Sequence, residues 1–385
     1  MPGLTGMHTT ADRLWQAHHD DLRALATRHR TRALTPRAGR DFASNDYLAL
    51  AGSDRLRAAI GAALARGVPA GSGGSRLLRG NDPEHEALEA EAARWAGSET
   101  ALFLSSGYAA NVALLATLPQ TGDLVIHDEL IHASMHEGLR LTRATALAMP
   151  HNEAQAFADA AQQWRAQGHR GRIWLAFETL YSMDGDCAPL ADLAAIAERH
   201  DAVMLIDEAH ATGTTGAQGR GLADGLDGRP DAVVLRTCGK ALGVEGALVC
   251  APAVVRDFLV NRARPFIFST APSPLMAAAV REALRICVDE PERRTRLAAL
   301  AAEAERRLVP LGATATGTQI LPLILGDDAR AMRVAAGLQR AGFDVRGIRP
   351  PTVPPGTARL RLSLTLNSTM DDLAALAVAL EAMLA

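Results

Sequence analysis

The chain carries a single lysine, Lys240; the other 39 of its 40 Lys+Arg residues are arginines. Arginine replaces lysine wherever only a solvated positive charge is needed, but its guanidinium stays protonated and does not condense with an aldehyde. A primary amine whose pKa can be lowered does. Abundant Ala and Gly beside the arginines fit a GC-rich coding bias, so the loss of lysine elsewhere has a plain cause and the survivor could be chance. Its neighbours argue otherwise. Short apolar runs along the chain end in polar groups: residues 203–206 lead into Asp207-Glu208-Ala209-His210, and residues 233–235 into Arg236-Thr237-Cys238-Gly239-Lys240. Residues 101–104 lead into Ser105-Ser106-Gly107-Tyr108, and residues 173–177 into Glu178 and then Ser182-Met183-Asp184-Gly185.

Together these groups would suit a phosphorylated pyridine aldehyde. Ser106, Gly107 and Tyr108 open a helical stretch, and a helix N-terminus offers free backbone N–H groups and a positive dipole end to a phosphate. Asp207, ionised, would hold a protonated pyridine nitrogen and strengthen the ring as an electron sink. His210 would hydrogen-bond a ring hydroxyl or a substrate carbonyl. Lys240 would supply the amine. Each has a bland alternative, such as an ordinary strand-to-helix turn, a helix-capping Asp or a structural His. The spacing is what joins them: Asp207 and Lys240 are 33 residues apart, enough for one strand–helix–strand excursion to a neighbouring strand end.

The elements needed to position them are legible. From residue 101 onward, short apolar runs at 101–104, 124–126, 173–177, 203–206, 233–235 and 247–250 alternate with alanine-rich amphipathic stretches. That pattern predicts a mainly parallel sheet covered on both faces. The run at 247–250 follows its predecessor after a short Gly-containing link, which predicts one antiparallel strand. A polar helix over about 11–32 precedes the sheet. A helix over about 290–308, a strand over 320–325, a helix over 329–341, a Pro-rich turn, an alternating strand over 359–364 and a helix over 370–384 follow it. The predicted division is an arm (1–43), a large domain (44–285) and a small C-terminal domain (286–385). Ligands of open α/β sheets bind beyond the carboxyl ends of the strands, where the polar groups above fall.

Composition narrows the function classes. A net charge of −3 with 48% hydrophobic residues describes an ordinary globular chain with no bulk attraction to nucleic acid or an anionic membrane. Cys187, Cys238, Cys250 and Cys287 are too few and too scattered for a disulfide framework or a CxxC metal site, so no metal is expected and a reduced cytoplasm is the expected setting. No apolar run of signal-peptide or membrane-span length occurs.

Beyond these local readings, Ser44-Asn45-Asp46-Tyr47-Leu48, GSGGSR (71–76), Ser106-Gly107-Tyr108-Ala109-Ala110-Asn111, His132-Ala133-Ser134, SMDGD (182–186), DEAH (207–210), GAQGRG (216–221) and TCGK (237–240) resemble, in order, the α-oxoamine synthases. These are pyridoxal 5'-phosphate (PLP) enzymes of the aspartate aminotransferase fold, fold type I. The resemblance implies an α/β architecture: a mainly parallel seven-stranded sheet flanked by helices, plus a smaller C-terminal α/β domain. The stretches 348–354 and 356–361 resemble the biotin-pathway branch, which implies decarboxylative condensation of L-alanine with a pimeloyl thioester of CoA or of acyl carrier protein. Sister branches that use glycine or serine or that make an acyl aminoketone signal, or a non-catalytic partner subunit, are the competing readings. The resemblance further implies that His132 stacks on the cofactor ring, that Ser106, Gly107 and Tyr108 line the phosphate and ring pocket, and that Ser182 and His210 face the ring hydroxyl. Asp207 would hold the ring nitrogen and Thr237 the phosphate beside Lys240. Ser269 and Thr270 would reach the phosphate from the second subunit of a homodimer. Arg349 would receive the amino-acid carboxylate, with Arg23, Asn45, Ser75 and Thr352 as further substrate-binding positions. The lysine loop departs from the family pattern: Cys238 stands where an aromatic is expected, Ala241-Leu242 where Gly-Phe is, and Ala49 stands where a glycine is usual.

Overall fold

The computed structural model describes residues 13–384. Its strands, in chain order, are β1 (Arg40–Asp41), β2 (Thr100–Leu104), β3 (Leu124–Asp128), β4 (Thr145–Met149), β5 (Ile173–Glu178), β6 (Ala202–Asp207), β7 (Ala232–Thr237), β8 (Ala247–Ala251), β9 (Ile320–Gly326), β10 (Phe343–Asp344), β11 (Arg346–Ile348) and β12 (Ala358–Ser363). Seven of them form one sheet in the order β2-β8-β7-β6-β5-β3-β4. β8 is antiparallel to both its neighbours and the remaining pairings are parallel.

The sequence explains this sheet simply. β2, β3, β5, β7 and β8 are buried at every position, because helices cover both faces and most of their side chains are apolar. The helix Gly107–Thr117 packs with Ala133–Leu141 in one layer, while Pro274–Asp289 packs with Asp54–Ala65 and Pro83–Ala96 in another. β4 was not expected: its Thr-Ala-Leu-Ala-Met carries little apolar bulk, and as the edge strand it leaves its first four residues exposed.

The small domain is built on the three-stranded antiparallel sheet β11-β12-β9, with the helices Glu292–Leu308, Asp328–Arg340 and Met370–Leu384 contributing Leu300, Leu338 and Leu376 to its core. The Arg-Leu-Arg-Leu alternation of β12 suggests one solvated face, yet all six of its residues are buried. Its arginines are not solvated because they reach the large domain: Arg359 donates to Asp184 and to the Met183 carbonyl, and Arg361 to the Ser182 carbonyl.

The segment entering the large domain is stitched to the small one. β1 pairs in parallel with β10, the Ser363 N–H donates to the Phe42 carbonyl at 3.0 Å, and the Leu366 N–H donates to that of Tyr47 at 3.0 Å. The backbone thus runs through the expected 43/44 division while bonded to the small domain. The 285/286 division falls inside the helix Pro274–Asp289. No helix among the described residues is long and apolar enough to cross a membrane.

Candidate active site

The carboxyl ends of β5, β6 and β7 lie side by side, with Glu178 and Asp207 direct register partners. Lys240 follows β7 in a tight turn, closed by the Gly243 N–H donating to the Lys240 carbonyl at 2.8 Å. A cavity of about 130 Å³ opens here, lined by Gly107, Tyr108, His132, Glu178, Asp207, Thr237 and Lys240 among others. Residues as far apart in the chain as Gly107 and Lys240 are therefore brought to one place.

Asp207 is 3% exposed, and its two oxygens are held separately. Oδ1 accepts from the Ala209 N–H at 2.8 Å, and Oδ2 accepts from Asn111 Nδ2 at 2.7 Å. Asn111 also donates to Ser134 Oγ at 2.9 Å, and that hydroxyl lies 2.7 Å from His132 Nδ1. One amide thereby ties the β6 carboxylate to the histidine at the cavity rim. Asn111 closes the Ser106–Asn111 segment that carries the resemblance; four residues after Gly107, it faces the cavity from the next turn of the same helix.

Lys240 Nζ lies 2.7 Å from His210 Nε2. Burial lowers the ammonium pKa, Asp207 and Glu178 oppose the drop, Arg361 adds to it, and the value comes down to about 8. The same burial, reinforced by the positive Lys240 and Arg361, holds His210 well below the ordinary histidine range, so its ring is neutral. Glu178 is pushed in the other direction: burial and the adjacent Asp207 raise its pKa well above the carboxylate range, and it keeps its proton. The cavity thus brings together Asp207, a Glu178 carboxyl pushed toward its protonated form, and an amine whose pKa is brought down to about 8 against the neutral His210 ring.

The donor set fits PLP. Gly107 is the first residue of its helix, beneath the Ser106 cap whose Oγ accepts from the Ala109 N–H at 3.1 Å. A Cβ at Gly107 would lie 3.3 Å from Thr237 Oγ1, so the glycine keeps space open between helix N-terminus and hydroxyl. Thr237 Oγ1 makes only long contacts, 3.5 Å to the Gly246 carbonyl and 3.4 Å from the Gly239 N–H. Free N–H groups, a loosely held hydroxyl and this gap make a phosphate cradle. Asp207 stands available to a ring nitrogen, and Glu178 Oε1 is buried without a partner.

The remaining expected positions divide. Ser182 is anchored beside this cluster through its carbonyl by Arg361, and Asn45 Oδ1 receives Arg361 Nη1 at 3.0 Å. Arg349 donates to the carbonyls of His29 and Thr31, while Thr352 receives Arg32 at 3.5 Å. Arg23 pairs with Asp20 on an exposed helix. Ser75 opens the turn Arg76–Gly80, and Ser269 and Thr270 line a separate small cleft with Arg76 and Ser105. Tyr47 and Arg361, buried beside His210, join the site without any chemical signal of their own in the sequence, although both fall inside segments carrying the resemblance. The departures at Cys238, Ala241 and Leu242 are all at most 1% exposed and sit in the hydrophobic core, so they change packing and not the polar groups.

Comparison with known proteins agrees with this chemistry. A model of the aminotransferases of class I and II matches residues 39–380. An 8-amino-7-oxononanoate synthase of Anaeromyxobacter dehalogenans is 44% identical over 329 residues, covering 84% of this chain and 81% of its own length. A solved structure of SPT with a PLP internal aldimine superposes with a TM-score of 0.88 at 25% identity, over 97% of this chain and 98% of that one. The 8-amino-7-oxononanoate synthase of Francisella tularensis superposes with a TM-score of 0.76 at 26% identity, over 89% and 97%. Fold, cavity and sequence thus converge, and the chain belongs to the 8-amino-7-oxononanoate synthase family within the aminotransferases of class I and II.

Proposed function

We propose that the protein is a PLP-dependent acyltransferase that condenses L-alanine with a pimeloyl thioester, of CoA or of acyl carrier protein, releasing CO2 and the thiol and giving 8-amino-7-oxononanoate. One observation carries the reading: the only lysine of the chain stands in the cavity where Asp207, Thr237 and a helix N-terminus converge. PLP bound there supplies an electrophilic aldehyde and a ring that withdraws charge from the amino acid's Cα.

The chain's own groups do the rest. Thr237 and the N–H groups at Gly107 and Tyr108 would hold the phosphate end. Asp207, fixed by Ala209 and Asn111, would hold the ring nitrogen. His132, at the cavity rim, would cover the ring face, and His210 with Ser182 would serve the hydroxyl side. The Lys240 amine, with a pKa near 8, gives and takes a proton near neutral pH and so suits the base that removes the Cα proton. Ser269 and Thr270 line no part of their own chain's lysine cavity. With Phe268 70% and Tyr108 51% exposed, this favours a homodimer in which they serve the partner's phosphate. Mixing Lys240→Ala with Thr270→Asp protomers would then restore activity through one intact site per heterodimer; no restoration would count against the shared site.

The reaction is tested by supplying L-alanine with pimeloyl-CoA, or with the pimeloyl carrier protein, and identifying the aminoketone by mass. Formation of 8-amino-7-oxononanoate with release of CO2 is expected. Turnover of glycine or serine in place of alanine would assign the chain to a sister reaction.

A further inference from the structure

The Lys240–His210 contact is the inner end of a longer buried chain of hydrogen bonds. His210 Nδ1 lies 2.6 Å from Tyr47 Oη. The same oxygen lies 3.0 Å from Asn45 Oδ1 and receives Arg361 Nη2 at 3.1 Å. Arg361 is itself fixed, with Nη1 donating to Asn45 Oδ1 and Ser363 Oγ and Nε donating to the Ser182 carbonyl. Tyr47 is 0%, His210 3% and Arg361 6% exposed, so water does not substitute for the Tyr47–His210 and Tyr47–Arg361 links, while Asn45 is half-buried.

Donor and acceptor capacity assigns the protons. Arg361 only donates, and because it donates to both Asn45 and Tyr47, the Asn45 atom facing Tyr47 is the oxygen. Two oxygens 3.0 Å apart need a hydrogen between them, and only the Tyr47 hydroxyl can supply it. Arg361 then occupies one lone pair of Tyr47 Oη, and the lone pair left faces His210 Nδ1, which must carry the ring hydrogen. Nε2 is left as a bare acceptor, 2.7 Å from Lys240 Nζ. The opposite assignment, with Tyr47 donating to Nδ1, sets a lone pair of Tyr47 against Asn45 Oδ1.

We propose that Tyr47, held by Arg361 and Asn45, is a positioning residue that locks His210 in its Nδ1–H tautomer and so presents Nε2 as the acceptor orienting the Lys240 amine. Its consequence for turnover rests on the reading of Lys240 as the PLP lysine, but the lock is a property of the protein before PLP is added. The charged and titratable groups facing the pair are Asp207, Glu178, His132, Tyr47 and Arg361. His210 is neutral among them, which is the condition for having a tautomer to lock.

The single lysine makes the test direct. Protein produced with isotope-labelled lysine gives one side-chain signal, and its titration in the PLP-free protein reads Lys240 alone. Tyr47→Phe removes the acceptor of Nδ1–H, lets the ring take the other tautomer and turns an N–H toward the amine. The Lys240 midpoint is expected to fall by about one pH unit, a tenfold change in the protonation equilibrium. Asn45→Leu frees the Tyr47 hydroxyl to donate to Nδ1 and is expected to lower the midpoint in the same direction, with Tyr47 in place. It also serves if Tyr47→Phe does not fold. Asn45→Asp keeps the acceptor and is expected not to lower it. A midpoint unmoved in folded Tyr47→Phe or Asn45→Leu protein overturns the lock, even if activity is lost. A shifted midpoint in a protein that takes up no PLP would leave the lock standing and refute the proposed function.

Discussion

Behind the cavity, the residue after Asp207 anchors a buried charge cluster whose disruption has a calculable cost. Arg236 is 0% exposed. Its Nη2 lies 2.6 Å from Asp227 Oδ2, its Nη1 lies 3.7 Å from Glu208 Oε2, and its guanidinium sits 5.2 Å from the Trp95 ring centre. Glu208 in turn accepts from the Ala223 N–H at 2.8 Å and the Leu222 N–H at 3.1 Å, tying the 216–223 loop to the end of β6. Replacing Arg236 by Met preserves bulk but leaves two buried carboxylates without a cation, a change that costs about 3–5 kcal/mol. The pH dependence has a definite sign. Burial raises Glu208 to about 7 from a reference of 4.5, so the folded state binds its proton more tightly than the unfolded chain. That contribution is complete below the unfolded value and is lost as pH rises through about 7. Without Arg236, both carboxyls are driven higher still. The gap between wild type and Arg236→Met should therefore be small near about pH 5, where both can hold protons, and widen toward about pH 8. Urea unfolding followed by tryptophan fluorescence at several pH values measures it. A gap below about 1 kcal/mol, or one constant with pH, would refute the claim that an uncompensated buried charge is what the substitution creates.

Three further outcomes follow from single atoms. Gly107→Ala places a Cβ 3.3 Å from Thr237 Oγ1, so PLP affinity should fall roughly tenfold, the loss of one charged hydrogen bond. Equilibrium titration of PLP-free protein checks this, and unchanged affinity would remove Thr237 from the phosphate site. Ala49 holds φ at +53°, a left-handed conformation costing an L-residue roughly 1–2 kcal/mol. Restoring the usual glycine should stabilise the fold by up to about 1 kcal/mol after glycine's greater unfolded entropy is subtracted, whereas measurable destabilisation would show that the Ala49 methyl packs usefully. Because Lys240 titrates near 8, capture of PLP by the PLP-free protein should accelerate as pH rises through that value and level off above it. A stopped-flow rate that is flat across this range would show that amine deprotonation does not control capture.

Much of this was legible in the chain because the relevant signals are local. Apolar runs buried on two faces mark β2, β3, β5, β6, β7 and β8, and the polar residues at their ends fall at the cavity by topology alone, as Asp207 and Lys240 do. Contacts between distant segments were not legible. Tyr47 meets His210 across 163 residues, and no spacing rule announces that pairing. The arginines of β12 read as a solvated face because periodicity records polarity and not partners; Arg359 and Arg361 are buried since Asp184, Asn45 and the Ser182 carbonyl await them. Arg349 is joined to the carbonyls of the His29–Thr31 segment, more than 300 residues away in the chain, and Arg361 reaches Tyr47 beside the lysine cluster; neither contact has a local signal. β4 escaped notice because an edge strand of Ala and Thr needs little apolar bulk.

Everything proposed for the cavity depends on Lys240 being the residue that binds PLP. Incubating the protein with PLP, reducing with borohydride and mapping the peptides by mass spectrometry tests it without relying on turnover. One equivalent of reduced cofactor is expected on the peptide containing Lys240, and none there in Lys240→Ala protein. Absence of the adduct from that peptide, or adduct only at the N-terminal amine, would contradict it.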